Sequence, residues 1–166
     1  MGIPNYFRTY NLTDNSIVNL QILDTSGQEK FKSLNQNYYK KADSIVLVYD
    51  ITDKHSFDEC NNYYTQIIKE GCKKDINVIL IGNKSDMEDK RVISFEEGQN
   101  FANNNNYFFM ETSCLKNKNV YEAFEKIIVC NAKKVKENNK NDKVQENKIK
   151  IEISDKNKCK NKCVII

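Results

Sequence analysis

Three runs of apolar residues with almost no polar interruption limit what this chain can fold into: "SIVLVYD" at residues 44–50, "INVILIG" at 76–82 and "YFFMETS" at 107–113. A strand with one wet face alternates polar and apolar residues. A strand without that alternation must be covered on both faces. The cover lies between the runs. Ser56-Phe57-Asp58-Glu59 has capping-box spacing, and Phe57, Cys60, Tyr64, Ile67 and Ile68 form a stripe at helical period. Ser94-Phe95-Glu96-Glu97 repeats the box, with Phe95, Gly98, Phe101 and Ala102 behind it. A last helix over about 119–136 puts Val120, Ala123, Phe124, Ile127 and Ile128 on one face. Strand and helix in alternation imply an α/β fold, with parallel strands joined by right-handed crossovers. Upstream, residues 6–12 and 17–23 read as strands that pair as a hairpin around Asp14 and Asn15. The asparagine run at 103–106 reads as a turn.

In a parallel sheet, ligands bind beyond the carboxyl ends of the strands. Three polar clusters stand at such ends: "DTSGQ" from Asp24, "NKSD" from Asn83 and "ETSC" from Glu111. In "NKSD" the Asp86 carboxylate suits two parallel donors, such as the ring N–H and exocyclic amine of guanine. Asn83 can brace the loop or reach the base edge. The Lys84 stem can lie on a flat ring while its ammonium stays in water. A chance N-K-x-D is expected in about one in four or five chains as rich in Asn and Lys as this one, so the position directly after a buried strand gives this motif its weight. In "DTSGQ", Asp24 can hold magnesium through water, Gly27 lets backbone approach a phosphate, and Gln28 can orient an attacking water. An ordinary turn is the competing reading. "ETSC" offers backbone N–H groups and the Ser113 hydroxyl, with a plain strand end as its alternative.

Charge is divided along the chain. Residues 133–166 carry 11 Lys against 5 Asp and Glu, whereas the body before them leans acidic, and the total is +3. Such a tail is either solubilising or attracted to an anionic membrane. No aromatic or arginine-rich surface accompanies the lysines, so nucleic acid is not expected as a partner. Cys60, Cys72, Cys114 and Cys130 are scattered without metal-like pairing, which reads as a reducing, cytosolic compartment. The lone histidine, His55, reads as a surface loop residue. The sequence contains neither a signal peptide nor an apolar run long enough to span a bilayer.

In order and spacing the clusters resemble the small GTPases of the Ras superfamily, and the Rab branch most closely. "LVYDIT" at 47–52 matches a Rab segment outright, and "LQILDTSGQEKF" at 20–31 is similar to LQIWDTAGQERF. "YYKKA" at 38–42 is similar to YYRGA, and "GNKSD" and "ETSC" to GNKxD and ETSA. The likeness covers about residues 7–136. It implies an incomplete G domain over residues 1–136 with a P-loop NTPase-like, mostly parallel sheet flanked by helices, followed by a disordered tail over 137–166. It further implies GTP or GDP with Mg2+ as ligands. Asp24 would support the metal through water, Gly27 would contact the terminal phosphate, and Gln28 would be the catalytic residue that positions the hydrolytic water. Asn83, Lys84 and Asp86 would read guanine, with Ser113 and the Cys114 backbone completing the base pocket. Residues 28–39 would form a switch. The implied role is a monomeric switch in vesicle-mediated transport, on the cytosolic face of intracellular membranes and in a cytosolic pool. Its partners would be effectors, an exchange factor, a GTPase-activating protein and a prenyl transferase.

The chain also departs from the family pattern. The family's motif continues with lysine after the Ser-Ala pair. Here Ser113-Cys114 is followed by Leu115 and Lys116, so either Leu115 replaces that lysine or the loop is one residue longer. Leu23 replaces the usual aromatic before Asp24. "GIPNYF" at the start is only loosely similar to the Rab IGxDF segment. The 166 residues contain no G-x-x-x-x-G-K-[ST]. The family's first strand, phosphate loop and first helix would lie before Met1, and that strand is a central one, between those ending at Asp24 and Asp50. Without a backbone nest for the diphosphate, the expectation for these 166 residues is weak GTP binding and little hydrolysis. Nucleotide titration checks this, and sub-micromolar affinity contradicts it. The alternative reading is a non-catalytic, lipid-tethered interaction protein. "CVII" at the end has C-a-a-X form, so Cys163 is a prenylation candidate and Cys159 a second lipid site. One lipid anchors only marginally, so the basic tail or the second lipid would be needed for stable residence on a membrane.

Overall fold

The computed structural model describes residues 5–12, 17–24, 40–61, 65, 68, 69, 72 and 75–141, which form five strands and three helices. Strands β1 (Asn5–Asn11) and β2 (Ile17–Leu23) pair antiparallel in full register, Asn5 opposite Leu23 and Asn11 opposite Ile17. This is the expected hairpin, although its turn at Asp14 and Asn15 lies outside the described residues. Strands β3 (Ser44–Asp50), β4 (Asn77–Asn83) and β5 (Phe108–Glu111) form a separate parallel sheet in that order. The helices are α1 (Lys54–Glu59), α2 (Phe95–Asn105) and α3 (Val120–Asn141).

The apolar runs become strands covered on both faces because their side chains alternate between two cores. Ile45, Leu47 and Tyr49 of β3 join Val78 and Leu80 of β4 on the face covered by α1 and α2, with Phe57, Cys60 and Ala102. Val46, Ile79 and Ile81 point to the other face, against Ala123, Ile127 and Ile128 of α3. The exception is Val48, which remains 46% exposed. Tyr49 stands opposite Gly82 in the register, and its ring occupies the room that two glycines leave. A Cβ at Gly82 would sit 2.8 Å from the Tyr49 hydroxyl oxygen, and one at Gly98 of α2 would sit 2.7 Å from the Phe109 ring. These are approaches that only glycine permits.

Several boundaries differ from the sequence reading, for local reasons. Helix α1 is capped by Asp53, whose carboxylate accepts the His55 N–H at 2.9 Å. Ser56 lies inside the helix instead of capping it. Its hydroxyl donates to the Asp53 carbonyl at 2.8 Å and accepts the Asp50 N–H at 3.0 Å, tying the helix to the end of β3. His55 is exposed, but in the first helical turn and not in a loop. The second box does cap: Ser94 accepts the Glu97 N–H at 3.0 Å. The asparagine run is mostly helical. Only Asn106, at φ 58°, leaves the helix, as a left-handed C-cap of the kind asparagine tolerates. Helix α3 continues past residue 136 to Asn141. Among the described residues no helix is long and apolar enough to cross a membrane.

Candidate functional site

The carboxyl ends of β3, β4 and β5 lie side by side because the three strands are parallel and in register, with Asp50 opposite Asn83 and Gly82 opposite Glu111. The chain leaves each strand there, and its polar groups close on one another. Strand β4 runs one residue further than its apolar pattern suggests, because the Asn83 carbonyl accepts the Ile51 N–H at 3.1 Å. Strand β5 is shorter than expected. Thr112 still donates its N–H to Gly82, but Ser113 turns away and pairs with Lys118 through two backbone bonds of 3.1 and 2.9 Å. Asn117 and Asn119 allow that turn by taking left-handed conformations, at φ 49° and 57°.

"NKSD" and "ETSC" meet at this edge. The Asn83 side-chain oxygen accepts the Thr112 hydroxyl at 3.1 Å and the Cys114 N–H at 3.4 Å. The Ser85 N–H reaches the Thr112 carbonyl at 3.0 Å. Ser113 is wholly buried, and its hydroxyl donates to the Asp86 carboxylate. The same hydroxyl oxygen accepts the Lys116 N–H at 3.0 Å, which directs its one proton onto Asp86. Asp86 is thereby held as an acceptor. The Asn83 oxygen is committed to the loop, so its amide N–H2 remains for another partner. A carboxylate acceptor beside an amide donor is the pattern that a guanine edge requires, and the residues present fit that base.

Lys84 follows β4 directly and takes φ 65°, a conformation that a side chain with a Cβ seldom adopts. Its ammonium lies 2.5 Å from the Asp50 carboxylate. The other Asp50 oxygen accepts both the N–H and the hydroxyl of Thr52 at 2.8 Å. Burial raises the Asp50 pKa, but the bonds from Lys84 and Thr52 outweigh it and hold the carboxyl below its ordinary value. The same pairing raises the Lys84 pKa. Behind the loops, Arg91 forks onto Glu111 with bonds of 2.7 and 2.9 Å and onto Glu88 with bonds of 2.8 and 2.7 Å. Asn119 donates to the Glu111 carbonyl at 2.8 Å. This clamp fastens the loop after β4 to the end of β5.

Asn83, Lys84, Asp86, Ser113 and Cys114 are therefore neighbours, as the sequence reading expects. Leu115 is 79% exposed on the same loop. Asp24 stands exposed at the end of β2, and among the described residues no hydrogen bond or ion pair joins it to the other two clusters. Gly27 and Gln28, with the rest of the switch reading, lie outside the described residues, as do Cys159 and Cys163. Sequence reasoning missed Asp50, Thr52, Arg91 and Glu111. Asp50 could have been found, since it ends a buried run as Asn83 does. Arg91 carries no signal, because only the turn at Glu88–Lys90 brings it back to Glu111.

A model of the Ras family matches residues 1–137. The GTP-binding protein ypt2 of Schizosaccharomyces pombe is 43% identical over 124 residues, covering 75% of this chain and 61% of the relative. The Ras-related protein Rab-2B of Dictyostelium discoideum is 43% identical over 127 residues, 76% of this chain and 61% of its own length. The human Ras-related protein Rab-8B is 43% identical over 124 residues, 75% and 59% respectively. The chain thus spans about three-fifths of the length of these relatives. With a parallel sheet flanked by helices, and the two strand-end loops joined through Asp86 and Ser113, the chain belongs to the Ras family, in its Rab branch.

Proposed function

We propose that this chain carries the guanine-reading half of a Rab-like small GTPase, a switch in intracellular vesicle transport. The observation that supports it most is the Ser113 hydroxyl donating to Asp86 while Asn83 braces residues 112 and 114. In this reading Asp86 accepts the two N–H groups on one edge of guanine and rejects adenine, which lacks that donor pair. Lys84 lies along the ring, and the Cys114 N–H and Ser113 frame the pocket. Asp24, through water, would hold Mg2+, Gly27 would admit the terminal phosphate, and Gln28 would orient the attacking water. The metal, when bound, neutralises charge on the phosphate oxygens. Effectors, an exchange factor and a GTPase-activating protein would act on the switch over 28–39. Prenylation of Cys163, with Cys159 or the basic tail as a second signal, would hold the protein as a peripheral monomer on the cytosolic face of membranes. The G domain would end with α3, near residue 141, and the tail would follow it. The alternative, a non-catalytic tethered interaction protein, draws no support from the relatives.

Guanosine and adenosine, which need no phosphate cradle, test the base reading directly by NMR titration. Guanosine is expected to bind more tightly than adenosine. Asp86→Asn replaces a two-acceptor carboxylate with one acceptor and one donor, which costs about 1.5–3 kcal/mol for bonds to a charged group. An Asp86→Asn chain that still prefers guanosine as strongly as the parent contradicts the proposal.

A further inference from the structure

Lys84 holds a left-handed backbone although glycine or asparagine would adopt it more readily. Local turn geometry explains only part of this. The Met87 N–H closes a turn onto the Lys84 carbonyl at 2.8 Å, which restrains the backbone and leaves the side chain free to swing. Asp50 removes that freedom. Its carboxylate is itself fixed, since one oxygen takes both donors of Thr52 and its own N–H is held by Ser56. The ammonium of Lys84 bonds to the remaining oxygen. A four-carbon stem anchored at both ends lies in one place, whereas a free lysine side chain samples many rotamers and must surrender them when a ring stacks on it. The anchor sits on β3, directly beside Asn83 in the ladder, so it stands in the same edge of the sheet as Asp86 and Ser113.

We propose that Asp50 is a positioning residue of the guanine site, tethering the Lys84 ammonium so that the lysine stem is laid out as a ready-made stacking surface before any nucleotide arrives. The proposal rests on the guanine reading above. It assigns to the "YDIT" segment a share in base affinity exerted wholly through Lys84.

The test uses the full 166-residue chain labelled at lysine and titrated with guanosine and, separately, adenosine, followed by NMR. Preference of the parent chain for guanosine tests the guanine reading, and the variants test the tether. Asp50→Asn is expected to weaken guanosine about tenfold and to move the Lys84 ε resonances towards those of solvent-exposed lysines. Asp50→Glu, which keeps the charge, restores part of the affinity. Lys84→Met breaks the tether from its other end and leaves the Asp50–Thr52 turn intact, so a fold damaged at Asp50 cannot imitate the result. It should match Asp50→Asn, and the double variant should be no weaker than either single one. Parent-like affinity in Asp50→Asn, Lys84 resonances indifferent to that substitution, or full additivity in the double variant would each overturn the proposal. No preference for guanosine in the parent chain removes the guanine reading itself, and the tether's function with it.

Discussion

The loops beyond β3, β4 and β5 and the hairpin of β1 and β2 are held in different ways. The loops are knitted by short polar bonds: Asp86 to Ser113, Asn83 to Thr112 and Cys114, Arg91 to Glu111 and Glu88, Asp50 to Lys84 and Thr52. The hairpin has its own complete ladder, but among the described residues no ladder joins it to the parallel sheet. It is attached by apolar side chains, with Leu20 buried against Val46, Ile79, Ile81 and α3, and Tyr10, Val18 and Ile22 packed around them. The difference matters because polar networks fix positions to a fraction of an ångström, whereas apolar contact is non-directional and tolerates sliding. A base is read by hydrogen bonds, so the proposed guanine site would lie where such networks converge. The Asp24 end, which the resemblance assigns to phosphate and magnesium, rests on the hairpin.

Leu20→Ala should give the largest effect and attack the contrast at its root. Removing a side chain that is 2% exposed costs about 3 kcal/mol in lost transfer and cavity energy. Hydrogen exchange should show β1 and β2 losing protection while β3, β4 and β5 keep theirs. Equal loss in both sheets would mean that the two regions open as one unit. Arg91→Ala makes the complementary cut. It leaves Glu111, whose side chain is only 12% exposed, without its fork, and a largely buried acceptor left unsatisfied costs about 2 kcal/mol. Exchange at residues 84–90 and 112–119 should quicken, guanosine affinity should fall, and the hairpin should be unaffected. A guanosine affinity that stays unchanged would show that the clamp does not order the base loops. The smallest effect is expected at Tyr49→Phe. The Tyr49 hydroxyl is buried with no hydrogen-bond partner among the described residues, and burial pushes its pKa well above the ordinary tyrosine value. Deleting it should leave the melting temperature level or raise it, by up to about 1 kcal/mol of stability. A clear drop would point to a partner for that hydroxyl.

Much of this was legible in the residues. An unbroken run such as "SIVLVYD" has no wet face to offer, so both its faces had to be covered, and Ser94 followed three residues later by Glu97 caps through its immediate neighbours alone. "NKSD" and "ETSC" could be placed at strand ends because apolar runs stop where they begin. The first capping box misled for a physical reason. Asp53 and Ser56 both have capping chemistry, and the choice between them depends on Ser56 being drawn to the Asp50 backbone, a contact set by how α1 packs on β3.

The sequence by itself therefore determined the alternation of strand and helix, the two buried faces of the central strands, and which polar groups stand at the strand tips. These follow from burial and from bonds between near neighbours in the chain. Only the tertiary structure decided that Lys84 answers to Asp50, that Ser113 donates to Asp86, and that Arg91 returns to Glu111. Those partners lie 20 to 34 positions apart, and a carboxylate selects a partner by distance in space, which only the parallel register of the three strands supplies.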